Sequence, residues 1–362
     1  MHPIKTFVYK EKRREQTQRC SSNMIKKYYT HKGEFKLESG KSLTNIDICY
    51  HISEEKIDIL KPVIWICHAL TANSDAEDWW PGLVGKGKLF DPGKYTLICA
   101  NILGSCYGTT GALSINPLTQ MPWLNDFPPV TVRDWAKAHE ILRQHLGIEK
   151  IYLVTGGSIG GFQSMEWAIL NPNIFENIML VATTYMATPW AIGINETQRM
   201  GIEADASFFS SDPNGGKAGL AAARGLGLLS YRGYQAYNTT QSEKDNEKVT
   251  DFRVSSYQRY QGKKLIDRLS AHCYHSITRS QDTHNVARGR GSFKTAFSAI
   301  TAKTLCIGIS SDILFPTIEQ KRLAEFIPNA VYAEIESDFG HDGFLIEHEK
   351  LSDIIIKFIF NS

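Results

Sequence analysis

From residue 63 onward, short continuous apolar runs alternate with segments whose apolar residues recur at helical spacing. Val63-Ile-Trp-Ile-Cys67, Tyr95 to Asn101, Ile151 to Val154, Ile178 to Ala182, Thr304 to Ile309 and Val331 to Ile335 carry few polar positions. Runs of this length bounded by turn residues predict strands covered on both faces. Val132 to Leu146, closed by Gly147, then Phe162 to Leu170, Ile318 to Phe326 and about Phe344 to Phe360 predict helices. Upstream the period changes to two. Phe35 to Leu37 and Ile46 to Ile52 flank the turn-like Glu38-Ser-Gly-Lys41, which predicts an antiparallel strand pair.

The strand–helix alternation breaks between about Thr184 and Ser298, where glycines, tyrosines and polar residues interrupt helical pieces such as Lys217 to Leu229. Alternation on both sides of the break predicts a mostly parallel sheet with helices on both faces and a helical cap inserted into it. The expected organisation is a basic tail over 1–24, a first core part over 25–183, the cap over 184–298 and a second core part over 299–362. The tail (Lys5, Lys10, Lys12, Arg13, Arg14, Arg19) has no strand or helix period and reads as a flexible segment.

Composition narrows the field by exclusion. Hydrophobic residues make up 42% of the 362 and charged residues 22%, which rules out disordered, collagenous and membrane-embedded classes. A formal net charge of +2 gives no reason to expect nucleic acid or an anionic membrane as partner. The seven cysteines are scattered and odd in number, as expected of reduced thiols in a cytoplasmic protein. No metal-ligand spacing is present, so no metal site is expected. No apolar run approaches the roughly 18 residues of a membrane span.

Candidate chemistry centres on Val154-Thr-Gly156-Gly157-Ser158-Ile159-Gly160-Gly161. A buried strand runs into a glycine-flanked serine and then a helix. Small neighbours there let a strained backbone present the hydroxyl and aim N–H groups at an oxyanion. A serine nucleophile needs a base, and the base needs an acid to fix its tautomer. In a parallel sheet these groups belong at the carboxyl ends of strands. Asp312 follows the predicted strand ending at Ile309, and His341 follows the one ending at Ile335. The order Ser158, Asp312, His341 is the chain order of an α/β-hydrolase core. Asp338, three residues before His341, is a rival for the acid. Backbone N–H groups of Ile159 and of Leu70, in the loop after the first buried strand, would form the oxyanion hole. His68 beside that loop reads as structural.

Several ordered blocks carry a resemblance. Cys67-His-Ala-Leu-Thr, Cys106-Tyr-Gly-Thr-Thr-Gly, Phe127-Pro-Pro-Val-Thr-Val-Arg-Asp134, Gly156-Gly-Ser-Ile-Gly-Gly, Ala287-Arg-Gly-Arg-Gly291, Ser311-Asp-Ile-Leu-Phe-Pro and Gly340-His-Asp-Gly-Phe resemble the homoserine O-acetyltransferase family, from about residue 28 to the end. The resemblance implies ping-pong transfer of an acetyl group from acetyl-CoA, through an acyl-Ser158, to L-homoserine, for methionine synthesis. It implies no bound cofactor beyond acetyl-CoA as co-substrate, and a homodimer. It also implies that Arg224 and Tyr231 in the cap and Asp342 beside His341 bind the amino acid, a zwitterion that needs one cation and one anion. Ile159 stands where the family usually has methionine, and the block Asp282 to Arg288 is looser than its usual form. A succinyl donor, a serine acceptor and a plain esterase or thioesterase remain the alternatives.

Overall fold

Eight strands form one sheet in the order β1-β2-β4-β3-β5-β6-β7-β8. They are β1 (Ile25–Lys36), β2 (Ser42–Ile52), β3 (Val63–Cys67), β4 (Thr96–Ala100), β5 (Ile151–Gly157), β6 (Phe175–Val181), β7 (Lys303–Ile309) and β8 (Val331–Ile335). The computed structural model describes residues 23–360. Most of the basic tail expected over 1–24 therefore lies outside the described residues. Its last two positions do not behave as a tail: Asn23 N donates to Glu77 Oε2 at 2.8 Å, and Met24 is buried.

From β3 and β4 to β8 every pairing is parallel, and β1 and β2 add the antiparallel edge. All five residues of β3 are buried. Successive side chains of a strand point to opposite faces. Trp65 accordingly joins an apolar layer containing Trp135, Trp167 and Leu323, while Ile64 and Ile66 join a second layer containing Trp80, Leu351 and Ile355. Helices α2 (Val132–His145), α3 (Ile159–Leu170) and α10 (Thr317–Phe326) supply the first layer. Helix α12 (His348–Phe360) and the segment following α1 (Ala76–Trp79) supply the second. Each large side chain buried this way contributes about 1.5–3 kcal/mol. α2 starts where Thr131 and Asp134 form a reciprocal capping box.

Two elements differ from the sequence expectation. β1 begins ten residues earlier than Phe35; its first eight positions alternate only between half-buried and exposed, with Lys and Tyr on both faces, so no apolar period marks them. The predicted helix over 344–360 is broken into α11 (Gly343–Ile346) and α12. The carbonyl of Phe344 accepts from Trp80 Nε1 at 3.0 Å, which takes that acceptor out of a continuous helical ladder.

Between β6 and β7 the described chain forms α4 (Pro189–Glu203), α5 (Lys217–Tyr231), α6 (Tyr234–Gln241), α7 (Arg253–Ile266), α8 (Ala271–Asp282) and α9 (Phe293–Phe297). An isolated bridge between Met186 and Asn285 closes the base of this insertion. Among the described residues no helix is long and apolar enough to cross a membrane.

Candidate active site

β5 delivers Ser158 at the centre of the sheet's carboxyl edge, with φ 59° and ψ −127°. A non-glycine residue there is strained, and strain persists only where the surroundings over-determine it. Here they do. Ser158 N donates to Val181 O at 3.0 Å, and Ser158 O accepts from Thr183 Oγ1 at 2.8 Å and from Gly161 N at 2.9 Å. The turn is tight enough that a β-carbon on Gly156 would overlap Gly160, and one on Gly160 would overlap the carbonyl oxygen of Cys67. Among the described residues Ser158 Oγ makes no hydrogen bond, and the residue is 6% exposed.

Asp312 and His341 arrive from the ends of β7 and β8 and are both buried. Asp312 Oδ1 accepts from the backbone N–H groups of Leu314 at 2.8 Å and Phe315 at 3.0 Å. Its Oδ2 lies 2.7 Å from His341 Nδ1. A carboxylate held this way places the imidazole proton on Nδ1 and leaves the Nε2 lone pair free to take a proton. Asp338, the rival acid, is exposed, and Asp312 is the partner of Nδ1.

The loop after β3 neighbours the elbow because β3 pairs with β5, Cys67 opposite Gly156. Leu70 lies three residues past β3, and Ile159 opens α3, where backbone N–H groups lack helical partners. His68 stabilises this loop. Its Nε2 accepts from Ile102 N at 3.2 Å, so Nδ1 carries the proton it donates to Ala69 O at 2.9 Å. Burial pushes its pKa down to about 4, and Gln163 Nε2 holds its carbonyl at 3.0 Å. Both ring nitrogens are occupied, as a structural histidine requires.

The cap faces this edge with α5. The Arg224 guanidinium lies 5.9 Å from the centroid of the Tyr231 ring, and that ring is 6.0 Å from the His341 ring. Asp342 follows His341 directly. Burial raises its pKa, opposed by Arg232, then by His341 and Arg224. Arg232 carries no sequence signal of its own, and its Nε is 3.4 Å from Asp342 Oδ2. Tyr237 and Tyr257 complete this corner with rings 6.2 Å apart. The structure thus gathers Ser158, Asp312, His341, Leu70, Ile159, Arg224, Tyr231 and Asp342 at one end of the sheet. Arg232 could have been found only as the neighbour of Tyr231, since a lone arginine after a helix reads as a solvated one.

A serine on a strained strand-to-helix turn, with an acid and a histidine from the ends of later strands, defines the α/β-hydrolase class. The profile of the α/β hydrolase fold matches residues 62–347. The homoserine O-acetyltransferase of Cyclobacterium marinum is 45% identical over 322 residues, spanning 89% of this chain and 92% of that protein. The chain belongs to the homoserine O-acetyltransferase family of the α/β hydrolases. Among solved structures, homoserine O-acetyltransferase from Bacillus anthracis superposes with a TM-score of 0.85 at 24% identity, covering 93% of this chain and 98% of that one. Esterase E22 superposes at 0.83 and 22%, covering 92% and 99%. At these identities the superpositions speak to the fold alone.

Proposed function

We propose that the protein transfers an acetyl group from acetyl-CoA to the hydroxyl of L-homoserine through an acyl-Ser158 intermediate. His341 Nε2 takes the Ser158 proton as Oγ attacks the thioester carbonyl, and the Leu70 and Ile159 amides receive the developing oxyanion. The tetrahedral intermediate expels CoA as its thiol, protonated by His341. The homoserine hydroxyl then gives its proton to Nε2 and attacks the acyl-serine. Collapse returns the proton to Ser158 Oγ and releases O-acetyl-L-homoserine. Only an acyl group and protons move, so the scheme requires no bound cofactor.

The observation that carries the acceptor is the charge pattern near His341: Arg224 against the Tyr231 ring that neighbours His341, and Asp342 next to His341 in the chain. An amino acid presents a carboxylate and an ammonium to just such a pair. The acetyl donor is supported by the relatives, which at 37–45% identity are homoserine O-acetyltransferases. Arg232 is paired with Asp342, which leaves Arg224 for the amino acid's carboxylate. A hydrolase would need neither charge.

We further propose a cytoplasmic homodimer. The six described cysteines are free thiols, and the cap exposes Phe209, Leu229, Tyr234 and Tyr260. The deciding experiment incubates the purified protein with acetyl-CoA or succinyl-CoA, with and without homoserine or serine, and follows thiol release and the O-acyl product. Homoserine-dependent release with acetyl-CoA is expected. Full-rate release without any acceptor would make it a thioesterase, and a strong preference for succinyl-CoA would overturn the acetyl assignment.

A further inference from the structure

The loop that carries His341 is braced by the cap as well as by the core. α5 ends at Tyr231, and the next two residues run directly against the loop before the histidine. A β-carbon on Gly340, whose φ is +62°, would lie 2.5 Å from Gly233 N, 2.8 Å from Arg232 C and 2.9 Å from Tyr231 O. One on Gly233 would overlap the Asp338 carbonyl oxygen. Two backbones touch here, and only glycine at each position permits it.

Arg232 stands at this contact. Its guanidinium carbon is 5.2 Å from the centroid of the Tyr257 ring on α7, and its Nε, buried with no hydrogen bond, is 3.4 Å from Asp342 Oδ2. The cation is therefore held between an aromatic face and one carboxylate. Building on the acceptor assignment above, we propose that Arg232 is a positioning residue for the second half-reaction: it fixes the Asp342 carboxylate beside His341, where it meets the acceptor's ammonium group. Arg232 itself need not touch the substrate.

Electrostatics supports the assignment. Asp342 faces Arg224, Tyr231 and Arg232 from α5 and its end, His341 from its own loop, Tyr237 from α6 and Tyr257 from α7. Burial favours its neutral form, and Arg232 is the largest influence opposing this. Without that guanidinium the carboxyl would keep its proton to higher pH, and a neutral carboxyl cannot hold an ammonium.

The test uses the full chain with Arg232→Gln, which keeps much of the packing and removes the charge, and Arg232→Lys, which restores charge without the planar stack. Acyl-enzyme formation is read as first-turnover thiol release. Transfer is read with L-homoserine and with 4-hydroxybutyrate, which has the same hydroxyl and carboxylate but no ammonium. In Arg232→Gln the KM for homoserine should rise about tenfold or more, the weight of one charge-assisted contact. The acid limb of its pH profile should move to higher pH, and Arg232→Lys should recover part of both effects. First-turnover release and transfer to 4-hydroxybutyrate should stay near the unsubstituted protein's values. Equal loss in both half-reactions, equal loss with 4-hydroxybutyrate, or an unchanged homoserine KM would each overturn the proposal. An unsubstituted protein that fails to acylate homoserine would instead sink the functional reading, before any variant is made.

Discussion

Gly160 lies so close to Cys67 that a β-carbon on the glycine would occupy the space of the cysteine's carbonyl oxygen. The first turn of α3 is seated directly on the end of β3, the strand whose following loop carries Leu70. Gly160→Ala must push the two backbones apart, since neither contact atom belongs to a flexible side chain. The expected loss is about 1–3 kcal/mol of stability, with a larger fall in acyl-enzyme formation than in homoserine affinity. A variant with unchanged melting temperature and unchanged first-turnover rate would show that the contact does not set the site.

Ser158 makes two opposed contributions that substitution can separate. Ser158→Gly and Ser158→Ala both remove the nucleophile, and neither should show an acyl-enzyme by mass spectrometry. Their stabilities should differ. Glycine relaxes at φ 59° and ψ −127° whereas alanine keeps the strain, so the glycine variant should be more stable than the alanine variant by about 1 kcal/mol. Equal melting temperatures would mean that the elbow stores no such strain, and acylation of either variant would mean a different nucleophile.

Arg224 acts on only one half of the proposed reaction. Arg224→Ala should leave thiol release in the first turnover nearly intact and raise the KM for homoserine by about 10- to 100-fold, as expected when a carboxylate loses its charged partner. Equal loss in both half-reactions would place Arg224 in the fold or the acyl-donor site.

Acid should destabilise the protein well before its carboxylates titrate. Burial pushes His68 and His139 down to about 4 and His284 to about 3, from an ordinary value of 6.5. The unfolded chain takes up protons at these sites as pH falls below 6.5, and the native protein does not. Stability is therefore full above that value and declines from 6.5 toward 4, by up to about 1.4 kcal/mol per histidine per pH unit. Paired carboxylates such as Glu140, held below their ordinary 4.5, add their own loss only at lower pH. A melting temperature that stays constant between pH 7 and pH 5 would contradict this account.

The interior strands, and with them the strand ends that carry Ser158, Asp312 and His341, were readable in the sequence for one reason. Strands covered on both faces have to be apolar throughout, and groups at their carboxyl ends are located once the strands are. The first ten residues of β1 escaped because an edge strand can carry lysine and tyrosine on both faces and show no apolar period. Arg232 escaped because its partner is 110 residues away in the chain, and no local pattern encodes that meeting. Part of what carried the family resemblance proved to be scaffolding. Arg288 and Arg133 both bind Glu38, each at 2.8 Å, and Arg290 binds the buried Glu166 at 2.8 Å. These ion pairs tie the exit of the cap to α3 and to the turn after β1.

β7 adds to the free edge of β6 only after the whole cap has been made, pairing Asn177 with Lys303 through Val181 with Ile307, and β8 adds to β7 in turn. During synthesis the serine therefore emerges some 180 residues ahead of its histidine. A chain that has not yet reached Asp312 and His341 has no acid and base for Ser158, and the reaction becomes possible only when the last two strands close the sheet. The order of the chain thus withholds the serine's activating pair until synthesis is nearly complete.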